Sequence, residues 1–424
     1  MLKNIINTIF VRVFGAIITL IIVVMNSNQT GAEGLGIIGL IVLAISIFII
    51  INGFTTGSLV YFIPRENVFK LLVISYSGVF FTLLFFIVLL NLVDIAPPQY
   101  HFHIIFLSVI LSVSSIHEKI LIGKENIIAT NIISLVKILI HIISLSVLYY
   151  IFKQNNVLSY VRSLYFSYVT ELILLLFFSF KYIKYSGLSH LFSLFKEVFK
   201  LSGYNTVATI IQKLNYRLSY YLIEYYFGLK TLGYFSAGIQ VSESTLIIGR
   251  SISFVQYARI SNLKNHEKSS EITVLFVKMM FLISSIVMLI LTLLPSSFYI
   301  LIFGEEFIFT RSVIFSLSIG IIALSCTTVI SPFFSGTGNQ KLNAQSAFAG
   351  FIVTITAGLI LIPSFNIIGA GIATSLSYLT SMLYQIYVFK KTANVKTSDF
   401  FIKKHDIQSV LLNLRLMLSK NKQL

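Results

Sequence analysis

The sequence predicts an all-α, polytopic membrane protein of about twelve transmembrane helices, set as two six-helix repeats around a central cavity. Three observations predict it: apolar runs of spanning length, a one-sided distribution of lysine and arginine, and an internal repeat. Of the 424 residues, 56% are hydrophobic, and the mean hydropathy is +0.91. The apolar residues fall in runs near 5–25, 33–52, 69–93, 101–122, 127–152, 160–182, 202–227, 231–257, 272–294, 307–333, 342–363 and 366–389. About 20 residues of helix cross the ~30 Å of hydrocarbon in a bilayer. Within lipid a backbone must satisfy its own hydrogen bonds, so such runs become helices. The alternation in segments of ~10 residues that marks a transmembrane β-barrel is absent.

Basic residues orient the spans, because cytoplasmic loops retain them. With the N-terminus inside, the inner segments carry 21 lysines and arginines and the outer ones only Lys153, Arg162 and Lys230. Losing one span would invert every later loop, so this ratio supports the span count as well as the orientation. It accounts for most of the net charge of +16 without a nucleic-acid partner. Two basic amphipathic segments read as interfacial. One carries Leu188, Leu191, Phe192, Phe195, Val198 and Phe199 beside Lys196 and Lys200. The other carries Ile407, Val410, Leu411, Leu414 and Met417 near Lys403, Lys404 and Arg415. Such helices lie in the headgroup layer and favour anionic lipid. The organisation expected is a six-helix bundle over 1–184, an interfacial linker over 185–201, a second bundle over 202–390 and a basic cytoplasmic tail over 391–424.

The first half recurs in the second. Asn7-Thr8 matches Asn205-Thr206, and Leu35-Gly36 matches Leu232-Gly233, at offsets of 198 and 197 residues. Gly123-Lys124-Glu125-Asn126 echoes Gly338-Asn339-Gln340-Lys341 at an offset of 215. Six spans per repeat give both halves one orientation, and a substrate site is expected between such parallel repeats.

Several motifs point to no chemistry. Gly34-Leu35-Gly36-Ile37-Ile38-Gly39 has the dinucleotide spacing but opens a membrane helix, where glycines serve close packing. Gly336-Thr337-Gly338-Asn339-Gln340-Lys341 lacks phosphate-loop spacing, and His117-Glu118 begins no zinc motif. Asn28-Gln29-Thr30 is a sequon that matters only in a glycosylating pathway. The single cysteine, Cys326, excludes an intramolecular disulfide. No catalytic residues, metal ligands or cofactor site are expected.

The candidate site is built from charges that stay in the spans: Arg12, Lys137, Lys213, Arg217, Arg250, Lys278 and Arg311. Each costs at least ~2.5–3.5 kcal/mol at mid-membrane, so each must snorkel, pair or line a wet cavity. Lys213, Arg217, Tyr220 and Glu224 share one face of span seven, and Gln240, Glu243 and Arg250 share one face of span eight. Arg12, Lys213, Arg217 and Arg250 are the expected anion ligands. Glu224, Glu243, Gln240 and Tyr220 are the expected polar lining. Lys137, Glu171, Lys278 and Arg311 are secondary candidates, with helix-end snorkelling the plain alternative for the last two. A structural salt-bridge network is the plain alternative for the arginines and glutamates. With Glu171, Glu224 and Glu243 counted as the intramembrane acids, cations are in excess and an anionic cargo is favoured. Arginine binds phosphate oxygens in a fixed fork and stays charged.

At this point the sequence resembles a family, the Wzx-type polysaccharide flippases of the multidrug/oligosaccharidyl-lipid/polysaccharide exporter superfamily. The resemblance rests on Gly31-Ala32-Glu33-Gly34-Leu35-Gly36, on Leu232-Gly233-Tyr234-Phe235-Ser236-Ala237, and on Gly336-Thr337-Gly338-Asn339-Gln340 followed by Leu361-Ile362-Pro363 and Gly369-Ala370-Gly371-Ile372-Ala373-Thr374. Tyr257-Ala258-Arg259 departs from the family's usual proline, and Gly371 from its alanine. The resemblance implies a transporter, not an enzyme. It would move undecaprenyl-diphosphate-linked oligosaccharide from the inner to the outer leaflet of a bacterial inner membrane by alternating access. Both termini would be cytoplasmic, and Glu224 and Glu243 are the candidates for any coupling of that movement to a proton or sodium gradient. It also implies membrane lipids, a polysaccharide polymerase and a chain-length regulator as partners. A multidrug exporter of the same superfamily would want acidic residues facing organic cations. A lipid-linked-oligosaccharide polymerase would want a sizeable outer loop, which this chain lacks.

Overall fold

The computed structural model describes residues 1–93, 95–263, 265–303 and 308–400; the side chains of Ala32, Glu33, Tyr216, Arg217, Leu229, Lys230 and Phe303 lie outside that description. The described residues are helical, with no strand among them. Twelve α-helices follow in order: α1 Leu2–Thr56, α2 Leu59–Phe62, α3 Val68–Leu92, α4 His101–Gly123, α5 Ile127–Ser146, α6 Val157–Phe180, α7 Leu191–Glu243, α8 Leu246–Asn262, α9 His266–Leu293, α10 Ser296–Phe303, α11 Thr310–Gly336 and α12 Gln340–Ala393. Nine helical stretches among the described residues are long and apolar enough to cross a membrane. One of them, Gln340–Ala393, has 54 residues and is broken at Asn366, so it has the length of two spans. The charged helices α7 and α8 are not among the nine.

Tight reversals join the paired spans. Helix α1 is interrupted at Gly31 (φ 70°, ψ −175°) and α7 at Gly228 (φ 78°, ψ 175°). That backbone region is essentially closed to any residue with a Cβ. The two glycines are 197 residues apart, the offset of the sequence repeat. Loops elsewhere are closed by asparagine caps. The Asn67, Asn156 and Asn265 side chains accept bonds from the amides of Phe69, Ser159 and Glu267 at 2.8, 3.0 and 2.8 Å.

The third echo of the repeat holds at a shifted register. Glu125 and Gly338 both take positive φ, 213 residues apart. The amide of Asn126 bonds the carbonyl of Leu121 at 2.8 Å, and that of Asn339 bonds Phe334 at 2.7 Å, again 213 apart. A methyl group on Gly123 would meet Ile63 at 2.7 Å, and one on Gly336 would meet Ile260 at the same distance. The offset of 215 read from the glycines is therefore corrected to 213: Gly123 pairs with Gly336, not with Gly338.

The chain divides into two compact units. One is Asn4–Thr206; the other runs from Val207 on and includes Met1–Lys3. The boundary falls inside α7, five residues beyond the expected end of the linker at 201. The basic linker is thus not a separate helix. From Leu191 it forms the first turns of α7, which runs unbroken to Gly228. The tail segment from Ile407 lies outside the described residues.

Each unit has its own core. In the first, Ile41, Phe48, Phe86, Ile104, Leu145 and Val161 are fully buried together, with Phe48 and Phe86 edge to face at 5.1 Å. In the second, Phe235, Val313, Ile314, Leu317 and Ala370 play that part. Lipid is as apolar as leucine, so within the bilayer these contacts act through van der Waals fit. Interhelical hydrogen bonds add to it. In the first unit the Asn131 amide donates to Thr8 Oγ1 at 2.9 Å, and the Tyr149 hydroxyl donates to Asn26 Oδ1 at 2.8 Å.

Candidate functional site

Helix α7 presents Lys213 and Glu224 on an exposed face, as the spacing predicts. Arg217 stands between them on the same face, though its side chain lies outside the described residues. Tyr220 is turned inward. Its ring is half-buried and packs edge to face on Phe235 at 5.9 Å, within the core of the second unit.

Span eight is broken where the sequence suggested one continuous helix. α7 ends at Glu243 and α8 begins at Leu246. The run Ser242-Glu243-Ser244-Thr245 supplies the reason. Ser242 donates to the Gly238 carbonyl at 2.8 Å and Ser244 to the Val241 carbonyl at 2.7 Å. Such local side-chain bonds give the backbone an alternative to the helical ladder. Across the break, Arg250 Nη2 lies 3.9 Å from Glu243 Oε2, with Arg250 55% exposed and Glu243 22%. Gln240 is exposed and donates to Ser236 Oγ at 3.2 Å.

The other cations separate by surroundings. Lys278 is 8% exposed and lies twelve residues inside α9. Arg311 stands in the first turn of α11 and donates from Nε to the Thr292 carbonyl at 3.2 Å, so it serves a helix end.

In the first unit the charges are gathered. Lys137 Nζ lies 3.0 and 2.9 Å from the two oxygens of Glu171 and 5.1 Å from the centre of the Tyr168 ring. Ser167 donates to the Lys137 carbonyl at 3.0 Å. Glu118, half-buried in α4, lies within electrostatic reach of Glu171, Lys137, Lys119 and Arg12. Arg12 is half-buried in α1.

Glu118 is the residue that sequence reasoning missed. It falls inside the fourth apolar run, beside Lys119, yet the intramembrane acids counted from the sequence are Glu171, Glu224 and Glu243. Counting acids inside every span would have found it. The correction redistributes the charge. The first unit sets Arg12, Lys119 and Lys137 against Glu118 and Glu171, whereas the second sets five cations against Glu224 and Glu243. The cationic excess belongs to the second unit. Nearby, His117 accepts or donates at both ring nitrogens, 2.5 Å from the Tyr76 hydroxyl and 2.7 Å from Ser179 Oγ, and so ties α3, α4 and α6 together. No group of metal-ligating side chains occurs among the described residues.

Solved structures share this fold. The Vibrio cholerae MATE transporter VcmN in its bent form superposes with a TM-score of 0.74 at 12% identity, covering 94% of this chain and 98% of that one. A MOP-superfamily transporter from Pyrococcus furiosus, described as having a binding pocket of reversed polarity, superposes with a TM-score of 0.75 at 14% identity over 92% and 96%. The chain therefore shares the fold of these solved transporters. No protein-family model matches the chain.

Two curated relatives carry names from polysaccharide biosynthesis and O-antigen transport. The capsular polysaccharide biosynthesis protein CapF of Staphylococcus aureus is 24% identical over 200 residues, 46% of this chain and 50% of that protein. A Shigella flexneri protein named "Putative O-antigen transporter" is 22% identical over 248 residues, 58% and 59% of the two. The chain spans about half to three-fifths of the length of these relatives. It is a multi-pass membrane protein with a transporter fold, related to proteins of polysaccharide biosynthesis and O-antigen transport.

Proposed function

We propose that the chain is a flippase. It moves undecaprenyl-diphosphate-linked oligosaccharide from the inner to the outer leaflet of a bacterial inner membrane by alternating access, with both termini cytoplasmic. The observation that carries this reading is the excess of positive charge in the spans of the second unit, five cations against two acids. A diphosphate crossing a bilayer needs basic partners inside it, because an unpaired charge there is costly. Lys213, Arg217 and Arg250 supply them. Arginine adds bidentate geometry toward phosphate oxygens. The relatives named for capsular polysaccharide and O-antigen support the same cargo class.

Glu243 already faces Arg250, so protonating it frees the arginine for the diphosphate. That couples transport to a proton gradient, with Glu224 or a sodium ion as the other routes to coupling. A polysaccharide polymerase and a chain-length regulator would take the product on.

The fold also admits a multidrug exporter. Its organic-cation cargo is disfavoured by the sign of the charge on the second unit's spans. The test replaces Lys213 and Arg217 together with alanine in the host. Surface polysaccharide should be lost, with the lipid-linked unit held on the cytoplasmic leaflet and the protein inserted at parental levels. Retained surface polymer in that double variant sinks the assignment. Unchanged polymer with new sensitivity to cationic compounds identifies the exporter instead.

A further inference from the structure

The segment between α6 and α7 is built more firmly than a connection requires. Together with the first turns of α7 it carries Lys181, Lys184, Lys196 and Lys200, against one acid, Glu197. Lys70, in the first turn of α3, donates from Nζ to the Ser189 carbonyl at 2.9 Å, and the Phe69 and Tyr185 rings lie 5.1 Å apart. These two contacts pin the loop to the first unit. His190, with φ 59°, turns the chain into α7. There Leu194 and Val198 are buried in the core of the unit.

The opposite face of the same segment is unusual in composition. Tyr185 is 83% exposed and Phe192 69%, and Leu188 and Phe199 are exposed beside them. Two lysines stand over rings of their own segment, Lys181 over Tyr182 at 5.0 Å and Lys196 over Phe192 at 4.7 Å. Large apolar side chains and uncompensated ammonium groups thus share one pinned surface. A soluble acidic partner would match the charge but not the exposed rings. A lipid surface matches both, since acyl boundary and headgroup lie within a few ångströms of each other. Zwitterionic headgroups bring their own cation with each phosphate, so they offer the lysines no net negative charge.

We propose that this surface binds the headgroups of anionic phospholipids, with Lys181, Lys184, Lys196 and Lys200 on the phosphates and Tyr185, Leu188 and Phe192 in the acyl boundary. The occupant is bulk phospholipid rather than cargo. The site lies wholly within the first unit, whereas Lys213, Arg217 and Arg250 belong to the second.

The experiment titrates the full-length protein, purified in neutral detergent, with phosphatidylglycerol and with phosphatidylcholine, and counts bound lipids by native mass spectrometry. The parent should retain phosphatidylglycerol preferentially. In K181Q/K184Q/K196Q/K200Q that preference should fall by about an order of magnitude or more. The corresponding four-arginine variant should keep it, which separates lost charge from lost fold. An undiminished preference in the glutamine variant overturns the proposal, as does a lost preference in the arginine variant. Undecaprenyl phosphate is the third probe. If it binds as tightly as phosphatidylglycerol and with the same dependence on the four lysines, the surface takes cargo and the proposal falls.

Discussion

The two units reuse one scaffold and fill it with different chemistry. In the first, Ser167 donates to the Lys137 carbonyl, and one turn further along α6 Glu171 takes the Lys137 ammonium. In the second, Ser377 donates to the Gly350 carbonyl at 2.8 Å, and one turn further along α12 Ser381 donates to the Ser346 carbonyl at 3.1 Å. Charged residues at one pair of sites correspond to glycine and serine at the other. Glu118 has Ser331 as its counterpart at the 213-residue offset. Ser331 sits in a neutral network, accepting from Gln385 Nε2 at 3.2 Å, while its carbonyl accepts from Asn343 Nδ2 at 3.1 Å. The first unit therefore sets most of its intramembrane cations against acids within the bundle. The second fills the equivalent sites with neutral groups and places its cations on α7, α8, α9 and α11, where Lys213, Arg250 and Arg311 are exposed and Lys278 is buried. Duplication preserves backbone turns and helix crossings, because these are set by sterics. It leaves the polar interior free to diverge, because many fillings satisfy the same backbone.

The sharpest way to break this contrast is to cut one charged pair. Lys137→Ala strands the Glu171 carboxylate, and removing one partner of a buried pair costs about 3 kcal/mol or more. The double variant K137A/E171A should recover most of that loss. Ser381→Ala, at the site equivalent to Glu171, should cost about 0.6 kcal/mol, the average for a hydrogen bond within a membrane bundle. Reversible unfolding of the purified protein measures all three. Equal losses for K137A and S381A would show that the two interiors do not differ energetically.

How much of this was legible in the sequence follows from what each feature depends on. Spans, their pairing and the first offset were legible, because hydropathy and helix-opening glycines act locally. The register of the third echo was not. Gly338 looks like a partner for Gly123, yet what matters is which residue takes positive φ and which glycine touches isoleucine. Those are contacts between distant segments. The exposed face of α7 was read from helical spacing alone, and Lys213 and Glu224 fall on it. Tyr220 shares that spacing but reaches Phe235 on the next span, which no periodicity reveals. The break after Glu243 is visible only once the serine hydroxyls are seen to bond their own backbone.

The repeat itself is sharpened by Gly31→Ala and Gly228→Ala. Both glycines occupy a region where a Cβ costs about 1–3 kcal/mol, and both stand at the reversal between paired spans. The two losses should agree to within about 0.5 kcal/mol and should add in the double variant, since distant independent sites do. Chemical denaturation in detergent checks this. A large effect at one glycine alone would mean that only one turn is held by its surroundings and the other relaxes.

The smallest expected effect lies in the neutral network of the second unit. Gln385 Nε2 reaches both Ser331 Oγ and, at 3.3 Å, Asn343 Oδ1, while Asn343 Nδ2 reaches Ser335 Oγ at 3.0 Å as well as the Ser331 carbonyl. Each side chain has more than one partner, so losing one leaves the rest partly satisfied. Asn343→Ala and Gln385→Ala should each cost about 0.6 kcal/mol, and the double variant less than the sum, because they share a bond. The buried Glu171 is held by the Lys137 ammonium, its one ion-pair partner among the described residues. A double-mutant cycle therefore separates the two interiors by the sign and size of the coupling. It should be weak for the amide pair and several-fold stronger for Lys137 with Glu171. A strong coupling between Asn343 and Gln385 would show that the neutral interior is as tightly specified as the charged one.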